Sequence, residues 1–267
     1  MVVKRRNLVN RGPAAGPQNR YIYGHHAVTA WLQARPDQLH SVHYDVRLPE
    51  RAAAFVELAA KAGVRCEPCG DEALTRMAGT PRHQGVVAAA AAFPYAEIEP
   101  IIESKPRLLV LADQIQDPQN LGAMLRTAEA VGAGAVLIPK DSSVGVTAAV
   151  EVAAAGAAAL VPVCRITNAV RTLQQLKTAG YWTVGLVARR GTDLYDFDPP
   201  EQVVVVVGGE TGMRSLVAKQ CDFAVSIPMR GKVESLNASV AAAVVLYELM
   251  RPCPGKSSTI VSTGGAV

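Results

Sequence analysis

The pattern of apolar and polar positions divides this 267-residue chain into two regions of different character. Between residues 21 and 93, short alternating segments are separated by segments with helical spacing, which predicts a small α/β domain. The next segment, 94–106, is rich in proline and charge and is typical of a linker. In the first region we expect helices near 24–34 and 50–62 and strands near 41–44, 64 and 85–88.

Residues 107–252 predict a second domain, in which near-continuous runs of valine, isoleucine and leucine alternate with helical patterns. Strands of this kind are buried on both faces, so the pattern favours an α/β fold with a parallel sheet covered by helices. The final helix, Val240 to Met250, is apolar nearly all round, which predicts burial against the sheet or a second subunit. We expect strands at 107–113, 135–139, 181–187, 202–208 and 223–228, helices at 121–132, from about 147 and at 168–180, and a short helix before 223.

Positive charge is concentrated at the start of the chain. The first 20 residues carry five basic side chains and no acidic one, which exceeds the net charge of +4 of the whole chain. With few apolar residues, this stretch predicts a disordered basic arm suited to phosphate backbones. A terminus that only increases solubility is the alternative interpretation. The basic residues are Lys4, Arg5, Arg6, Arg11 and Arg20.

Composition excludes several classes of protein. With 49% hydrophobic residues the chain can bury a core, but no apolar run approaches the roughly 18 residues that span a membrane, and no signal peptide is evident. Five cysteines are an odd number, which favours reduced thiols and a cytoplasmic location. Cys66 and Cys69 lack partners at metal-site spacing, so we expect no metal. Residues 253–267 are expected to be a flexible tail.

Three polar segments follow predicted strands of the second domain, where parallel sheets bind ligands. In the first, Asp117-Pro118 forms a turn, Asn120 is a predicted helix N-cap, and Arg126 lies nearly two turns further on. These two side chains need not share a face of a straight helix, but both can approach the sheet if the helix lies across it. In the alternative interpretation Asn120 is only a cap and Arg126 is a solvated residue.

The second segment follows the five valines of the strand at 202–208. Gly208 and Gly209 allow a ligand to approach the backbone closely, and Glu210 follows at the rim. A nucleotide-dependent oxidoreductase would require a GxGxxG turn between a strand and a helix, and that pattern is absent. The segment therefore favours a ligand site of another kind.

The third segment joins the last predicted strand to the final helix. Ser235 and Asn237 lie at the start of that helix, whose free amides can bind oxygen-rich groups. Met229 and Leu236 offer an apolar lining for an adenine-sized ring. All five histidines lie in the first third of the chain, so we expect chemistry in the second domain to depend on positioning and electrostatics.

These segments resemble the three motifs of the SpoU/TrmH family of SPOUT RNA ribose 2'-O-methyltransferases. The resemblance is carried in order by DPQNLGAMLRTAEAVGAGAVLIP, VVGGETGMRSL and IPMRGKVESLNASVAAAVVLYELMR. YIYGHHAV and HQGVVA are similar to the accessory RNA-binding domain of the family, which is related in fold to ribosomal protein L30e. The second motif is one residue shorter than the common family pattern, which leaves the path of that loop open.

The resemblance implies a C-terminal deep trefoil knot, a homodimer that completes the active site, and S-adenosylmethionine as methyl donor. It implies methylation of a ribose 2'-hydroxyl, most closely that of a guanosine in the peptidyl-transferase-site loop of 23S rRNA. Methylation of tRNA, antibiotic-resistance methylation of rRNA, and a catalytically silent RNA-binding protein remain alternatives. No membrane partner is implied.

The resemblance also assigns roles to residues. Arg126 would stabilise the forming ribose alkoxide, Glu210 would orient Arg126, and Asn120 would brace the same loop. Ser235 and Asn237 would place polar atoms at the ribose. The residues expected at the methyl donor are Leu186, Val187, Ala188, Gly208, Gly209, Glu210, Gly212, Ile227, Pro228, Met229, Ser235 and Leu236. Those expected at RNA are Lys4, Arg5, Arg6, Arg11, Arg20, His25, His83, Gln84 and Arg230.

Overall fold

A computed structural model describes residues 20–251 of the chain. The predicted arm residues Lys4, Arg5, Arg6 and Arg11 and the predicted tail at 253–267 lie outside the described residues. Two β-sheets are present in the described part, one before and one after residue 100.

The first sheet has four strands within residues 20–251, in the order β1-β4-β2-β3. Only β2 and β3 pair in parallel, and the other pairs are antiparallel. Trp31 and Phe55 are fully buried in its core. The strands are β1 (Arg20–Tyr23), β2 (Leu39–Asp45), β3 (Arg65–Cys69) and β4 (Val86–Ala90), and the helices are α1 (His25–Ala34), α2 (Pro49–Ala62) and α3 (Asp71–Ala78).

The second sheet has seven strands in the described part of the chain, and every pairing between them is parallel. This confirms the predicted parallel sheet. The order is β7-β6-β5-β10-β8-β11-β9. The strands are β5 (Leu108–Asp113), β6 (Ala135–Pro139), β7 (Val163–Ile166), β8 (Trp182–Leu186), β9 (Thr192–Asp193), β10 (Val203–Gly208) and β11 (Phe223–Ser226).

Helices cover both faces of the second sheet, because alternate residues of its strands are apolar on either side. Leu108 and Val110 pack in one core with α5, α6 and α10, whereas Leu109 and Leu111 pack in the other with α8. The helices are α4 (Ile98–Ser104), α5 (Pro118–Ala130), α6 (Ala148–Ala154), α7 (Ala157–Leu160), α8 (Ala169–Thr178), α9 (Ser215–Ala218) and α10 (Ala238–Met250).

The predicted linker contains helix α4, which the proline and charge content of this segment did not indicate. Ile98, Ile101 and Ile102 follow helical spacing and pack against the core on the α8 side of the sheet. The segment therefore contributes an apolar helix face to the second sheet. The described residues include no helix long and apolar enough to span a membrane.

The position of β10 decides where the polar segments meet. It lies between β5 and β8, although β6 to β9 come between β5 and β10 along the chain. Because all these strands are parallel, their carboxyl ends lie at one edge of the sheet. The loops after β5, β8, β10 and β11 therefore lie side by side.

Candidate active site

A cavity of about 500 Å³ lies beyond the carboxyl ends of β8, β10 and β11. We call it the central cavity. Its size is in the range of sites that bind cofactors and small molecules. The predicted residues that line it are Asn120, Leu186, Val187, Ala188, Gly208, Gly209, Glu210, Gly212, Ile227, Met229, Ser235, Leu236 and Asn237. Val207, Thr211, Ala238 and Ala241 also line it and were not predicted.

The loop after β10 is a tight turn that requires its glycines. A Cβ at Gly208 would overlap the backbone of Gly212 and Met213, and one at Gly209 would overlap the carbonyl oxygen of Gln114. The Gly212 amide donates to the carbonyl of Gly209 at 2.9 Å, and Gly212 has a φ of +83°. This turn accommodates the shortened second motif and leaves Glu210 exposed at its tip.

An ion pair between a buried carboxylate and a partly exposed arginine, which the sequence did not indicate, fixes the base of this loop. Asp113, at the end of β5, is fully buried, and its Oδ2 accepts from the backbone amide of Arg214 at 2.9 Å. Its Oδ1 accepts from Nε of Arg214 at 2.8 Å, and its carbonyl accepts from the Gly209 amide at 2.9 Å. The signal for this pair in the sequence was an acidic residue at the end of an apolar strand, because a buried carboxylate requires a partner.

Asp117, rather than Asn120, caps helix α5, so the predicted N-cap was wrong. The Asp117 carboxylate accepts from the Gln119 amide at 3.1 Å, and Pro118 occupies the first helical position, where its missing N–H costs nothing. Asn120 lies one turn inside the helix, is 9% exposed and lines the central cavity. Its amide group therefore lies at the cavity instead of at the helix end.

Arg126 does not line the central cavity of its own chain. It is exposed on α5, six residues after Asn120, so it projects from a different face of the helix. Glu210 is also exposed, and among the described residues no hydrogen bond or salt bridge joins it to Arg126. The expected pairing of these two side chains is therefore absent within one chain.

The loop before α10 also lines the cavity, through Ser235, Leu236 and Asn237. Asn237 is the N-cap of α10, and its Oδ1 accepts from the amides of Ser239 and Val240 at 2.9 and 3.4 Å, which confirms the predicted start of this helix. An exposed salt bridge of 2.9 Å joins Arg189, next to Ala188, to Glu234, next to Ser235. Pro228 and Arg230 flank Met229 and are exposed without lining the cavity.

Two residues expected at RNA are largely enclosed: His83 is buried, and the Arg20 side chain is 12% exposed. His83 is 2% exposed, its Nδ1 accepts from the Gly85 amide at 3.1 Å, and its Nε2 lies 3.2 Å from the Thr75 hydroxyl. Arg20 is the first residue of β1, and its guanidinium pairs with buried Glu151 at 2.6 Å. Neither side chain is free to contact RNA in this structure, because surrounding protein encloses each of them.

His25 and Gln84 share one exposed site on the small sheet. The Gln84 side-chain oxygen accepts from the His25 backbone amide at 2.9 Å, at the start of α1. Gln84 has a φ of +57°, a left-handed conformation that a non-glycine residue seldom adopts. This geometry places the two side chains together at the surface.

The described cysteines are all free. Burial raises the pKa of the Cys164 and Cys221 thiols to about 11, which keeps both protonated near neutral pH. Cys66 and Cys69 are the second and last residues of β3, and burial raises the pKa of the Cys66 thiol. Within residues 20–251 no three His, Cys, Asp or Glu side chains form a metal-binding group.

Comparison with known proteins covers both sheets. Residues 107–247 match the SpoU rRNA Methylase family, and residues 21–96 match a family described as RNA 2'-O ribose methyltransferase substrate binding. The first match contains all three polar segments up to Tyr247, and the second contains the strands and helices of the small sheet from Tyr21 onward.

Two curated relatives are named 23S rRNA (guanosine-2'-O-)-methyltransferase RlmB. The protein from Ralstonia nicotianae is 45% identical over 88% of this chain and 96% of its own length. The protein from Nitrosomonas europaea is 41% identical over 87% of this chain and 92% of its own length.

Among solved structures, the SpoU methyltransferase AviRb from Streptomyces viridochromogenes, in complex with the cofactor AdoMet, has a TM-score of 0.72. The match covers 87% of this chain and 89% of that chain at 24% identity, which shows a shared fold. Together with the family matches and the identities to curated relatives, this places the chain in the SpoU rRNA methylase family.

Proposed function

We propose that this protein transfers a methyl group from S-adenosylmethionine to the 2'-hydroxyl of a guanosine in the peptidyl-transferase-site loop of 23S rRNA. The observation that carries the proposal is the central cavity, where three separate polar segments of the sequence converge. The names of the Ralstonia and Nitrosomonas relatives support the choice of rRNA and of guanosine. The family match to a substrate-binding unit at residues 21–96 supports RNA as partner.

The residues at the cavity fit the methyl donor. Leu186, Ile227, Met229 and Leu236 give apolar walls for a flat ring. The space that a Cβ at Gly208 or Gly209 would take is filled by neighbouring backbone, so these two lining positions of the cavity must be glycine. S-adenosylmethionine supplies an electrophilic sulfonium methyl group, and AviRb, which shares this fold, was solved with that cofactor.

The chemistry asked of the protein is to hold a ribose hydroxyl in line with the methyl group and to stabilise the alkoxide as its proton leaves. A guanidinium combines positive charge with a planar fork of donors, so we assign Arg126 electrostatic stabilisation of the alkoxide and an adjacent phosphate. Water or a phosphate oxygen takes the proton. Asn120, Ser235 and Asn237 line the cavity with the polar atoms that orient the ribose.

Because Arg126 and Glu210 do not meet within one chain, we propose that Arg126 acts at the cavity of a second copy in a homodimer. The exposed apolar face of α10 supports this arrangement. Val240 and Tyr247 are 49% and 59% exposed, and Tyr195, which lies near the end of α10, is 55% exposed. Apolar side chains of this size on one surface are typical of a subunit interface.

Several finer features belong to the same proposal. We propose the deep trefoil knot for the segment around 208–237 and kinship with L30e for the small sheet. We also propose the division into an arm at 1–20, a small domain at 21–93, a linker at 94–106, a catalytic domain at 107–252 and a tail, with the change that Arg20 belongs to β1. A cytoplasmic location follows from action on ribosomal RNA.

A tRNA substrate, an antibiotic-resistance site on rRNA and a catalytically silent RNA-binding protein are the competing functions. Mapping 2'-O-methyl groups in total RNA from cells with and without this gene separates them. We expect one guanosine of 23S rRNA to lose its methyl group when the gene is deleted. A lost methyl group in tRNA, or an unchanged methylation map together with no donor binding by calorimetry, would contradict the proposal.

A further inference from the structure

The two sheets are packed together along a defined surface between α1 and β1 on one side and α6 and α7 on the other. Gly156, between α6 and α7, has a φ of +99°, and a Cβ there would lie 2.7 Å from the Cβ of Ala30 and 3.0 Å from the carbonyl oxygen of His26. Ala159 of α7 is buried within the core of the small sheet. Any side chain larger than a hydrogen atom at Gly156 would push α6 and α7 away from α1.

A buried charged cluster lies at this surface. Glu151 of α6 is 1% exposed, and its Oε1 accepts from Nη1 of Arg20 at 2.6 Å. Its Oε2 accepts from the indole Nε1 of Trp31 at 2.8 Å. The Arg20 guanidinium carbon also lies 4.6 Å from the ring centroid of Trp31 and 5.2 Å from that of Phe93. We call Arg20, Trp31 and Glu151 the interdomain joint.

The charged groups of the joint contribute orientation more than stability. Burying a carboxylate and a guanidinium costs solvation, and an apolar contact of the same volume is often equally stable or more so. Within residues 20–251, Nε and Nη2 of Arg20 are buried without a hydrogen-bond partner, which adds to this cost. The charged cluster instead fixes the distance and angle between β1, α1 and α6. Both carboxylate oxygens of Glu151 accept hydrogen bonds from the domain of the small sheet, one from Arg20 and one from Trp31.

We propose that the interdomain joint holds the substrate-binding unit at a fixed position relative to the central cavity, so that RNA bound by that unit presents its ribose to the cavity. Arg20 and Glu151 are thus positioning residues that act on the reaction through the orientation of bound RNA. The inference deepens the proposed function and rests on RNA binding by residues 21–96.

Glu151→Gln tests the joint directly. In assays at pH 8, where the Glu151 carboxyl is ionised, the glutamine keeps the volume and an oxygen acceptor for Trp31 but removes the charge facing Arg20. We expect the KM for the rRNA fragment to rise about tenfold, with kcat at saturating RNA and the Kd for S-adenosylmethionine both within about twofold of the parent. Because the variant can lose stability, Arg20→Met combined with Glu151→Gln removes both charges, and we expect it to melt near the parent temperature yet keep the raised KM.

A matched pair of glycine variants tests the surface without altering charge. Gly156→Ala introduces a methyl group against Ala30, whereas Gly180→Ala places one at nearly the same φ, +100°, with only an ordinary contact 3.6 Å from Gln202. Both variants carry the same backbone strain. We expect Gly156→Ala alone to raise the KM for RNA, and equal values in the two variants would contradict a positional role for this surface.

The distance between the units gives a readout that does not depend on methylation. In homodimers that contain one labelled and one unlabelled chain, spin labels carried by non-canonical residues at exposed Glu57 and Lys219 report one distance across the joint. We expect a narrow distribution in the parent and in Gly180→Ala, and a broader one in Glu151→Gln and Gly156→Ala. If the distance distribution of a folded Glu151→Gln protein is unchanged, the positioning role of the joint is overturned, even when methylation is confirmed. If the distribution broadens but the parent methylates no RNA, only the proposed function is overturned.

Discussion

The central cavity and the interdomain joint use polar side chains in opposite ways. At the cavity, Glu210, Ser235 and Asn237 lie at solvent-exposed loop positions that follow apolar strands. At the joint, Glu151 and Arg20 are enclosed, with 1% and 12% of their side chains exposed. Exposed polar groups cost the fold little and remain free to meet a ligand, whereas enclosed ones affect stability as soon as one partner is lost.

This difference predicts where each substitution acts. Changes at the cavity should alter turnover or donor binding with small effects on unfolding. Changes at the joint should alter stability and RNA recognition with small effects on donor binding. A cavity variant that unfolds the protein, or a joint variant that abolishes donor binding, would remove the distinction.

The largest expected effect is on stability at the joint. Glu151→Ala leaves the buried Arg20 guanidinium without its partner, and we expect the free energy of unfolding to fall by about 3–5 kcal/mol. Urea unfolding followed by circular dichroism measures this change. Lys177→Ala, which breaks a more exposed pair with Asp222, is the control. A similar loss of stability in both variants would show that burial of the Arg20–Glu151 pair does not increase the cost of breaking it.

The next largest effect is on turnover at the cavity. Arg126→Ala removes one preorganised charge, so we expect single-turnover methylation to slow by about 10²-fold with the melting temperature and donor affinity nearly unchanged. Arg126→Lys should recover little, because an ammonium group lacks the planar fork of donors. Methylation at the parent rate by Arg126→Ala would show that this arginine is only a solvated helix residue.

A smaller effect is expected on donor affinity. Gly208→Ala forces a methyl group against the backbone of Gly212 and Met213, so the turn that lines the cavity must shift. We expect the Kd for S-adenosylmethionine to rise about tenfold, which corresponds to about 1.4 kcal/mol. Gly231→Ala, at a glycine with nothing within 4 Å of an added Cβ, is the matched control for calorimetry. Equal affinities would place the donor elsewhere.

The smallest effect is a pH dependence at the joint. Burial raises the pKa of the Glu151 carboxyl to about 7, against the opposing influence of Arg20 and the Trp31 hydrogen bond. The folded state therefore binds this proton more tightly than the unfolded state, whose pKa is near 4.5. The resulting stabilisation is fully present below the unfolded pKa and is lost as pH rises through about 7.

Unfolding measured between pH 5 and 8 checks this dependence. We expect the parent to lose about 1 kcal/mol more than Glu151→Gln across the upper part of this range, because glutamine does not titrate. The other groups that act on the cluster are the Arg20 guanidinium and the Tyr95 hydroxyl, both unchanged in the variant. Parallel curves for the two proteins would show that Glu151 does not titrate as described.

Predictions that depended on local pattern located most strands of the parallel sheet, including the four-residue β11, but missed three short strands. The continuous valines of β10 and the apolar run of β5 were located to within a residue of their observed bounds. Strands β1, β7 and β9 were missed because polar residues interrupt the apolar pattern of their four, four and two residues. The N-cap of α5 was misassigned because Asn and Asp are both good caps. Pro118 at the first helical position favours Asp117 as the cap, but it was interpreted only as part of a turn.

Predictions about single charged residues failed where the partner is distant in sequence. Arg20 was grouped with the basic arm because it ends a run of basic residues, but its partner Glu151 is 131 residues away. Arg214 likewise pairs with Asp113 across 101 residues. Nothing in the neighbouring sequence of either arginine identifies these carboxylates.

The sequence by itself determined the alternation of strands and helices, the three polar segments at strand ends, and the family resemblance, because each depends on periodicity or on residues close together in the chain. Only the tertiary structure decided that β10 lies between β5 and β8, that the polar segments thereby line one cavity, and that Arg20 is enclosed with Glu151 and Trp31. These features depend on how two sheets and their helices pack, and packing joins residues whose separation along the chain carries no local signal.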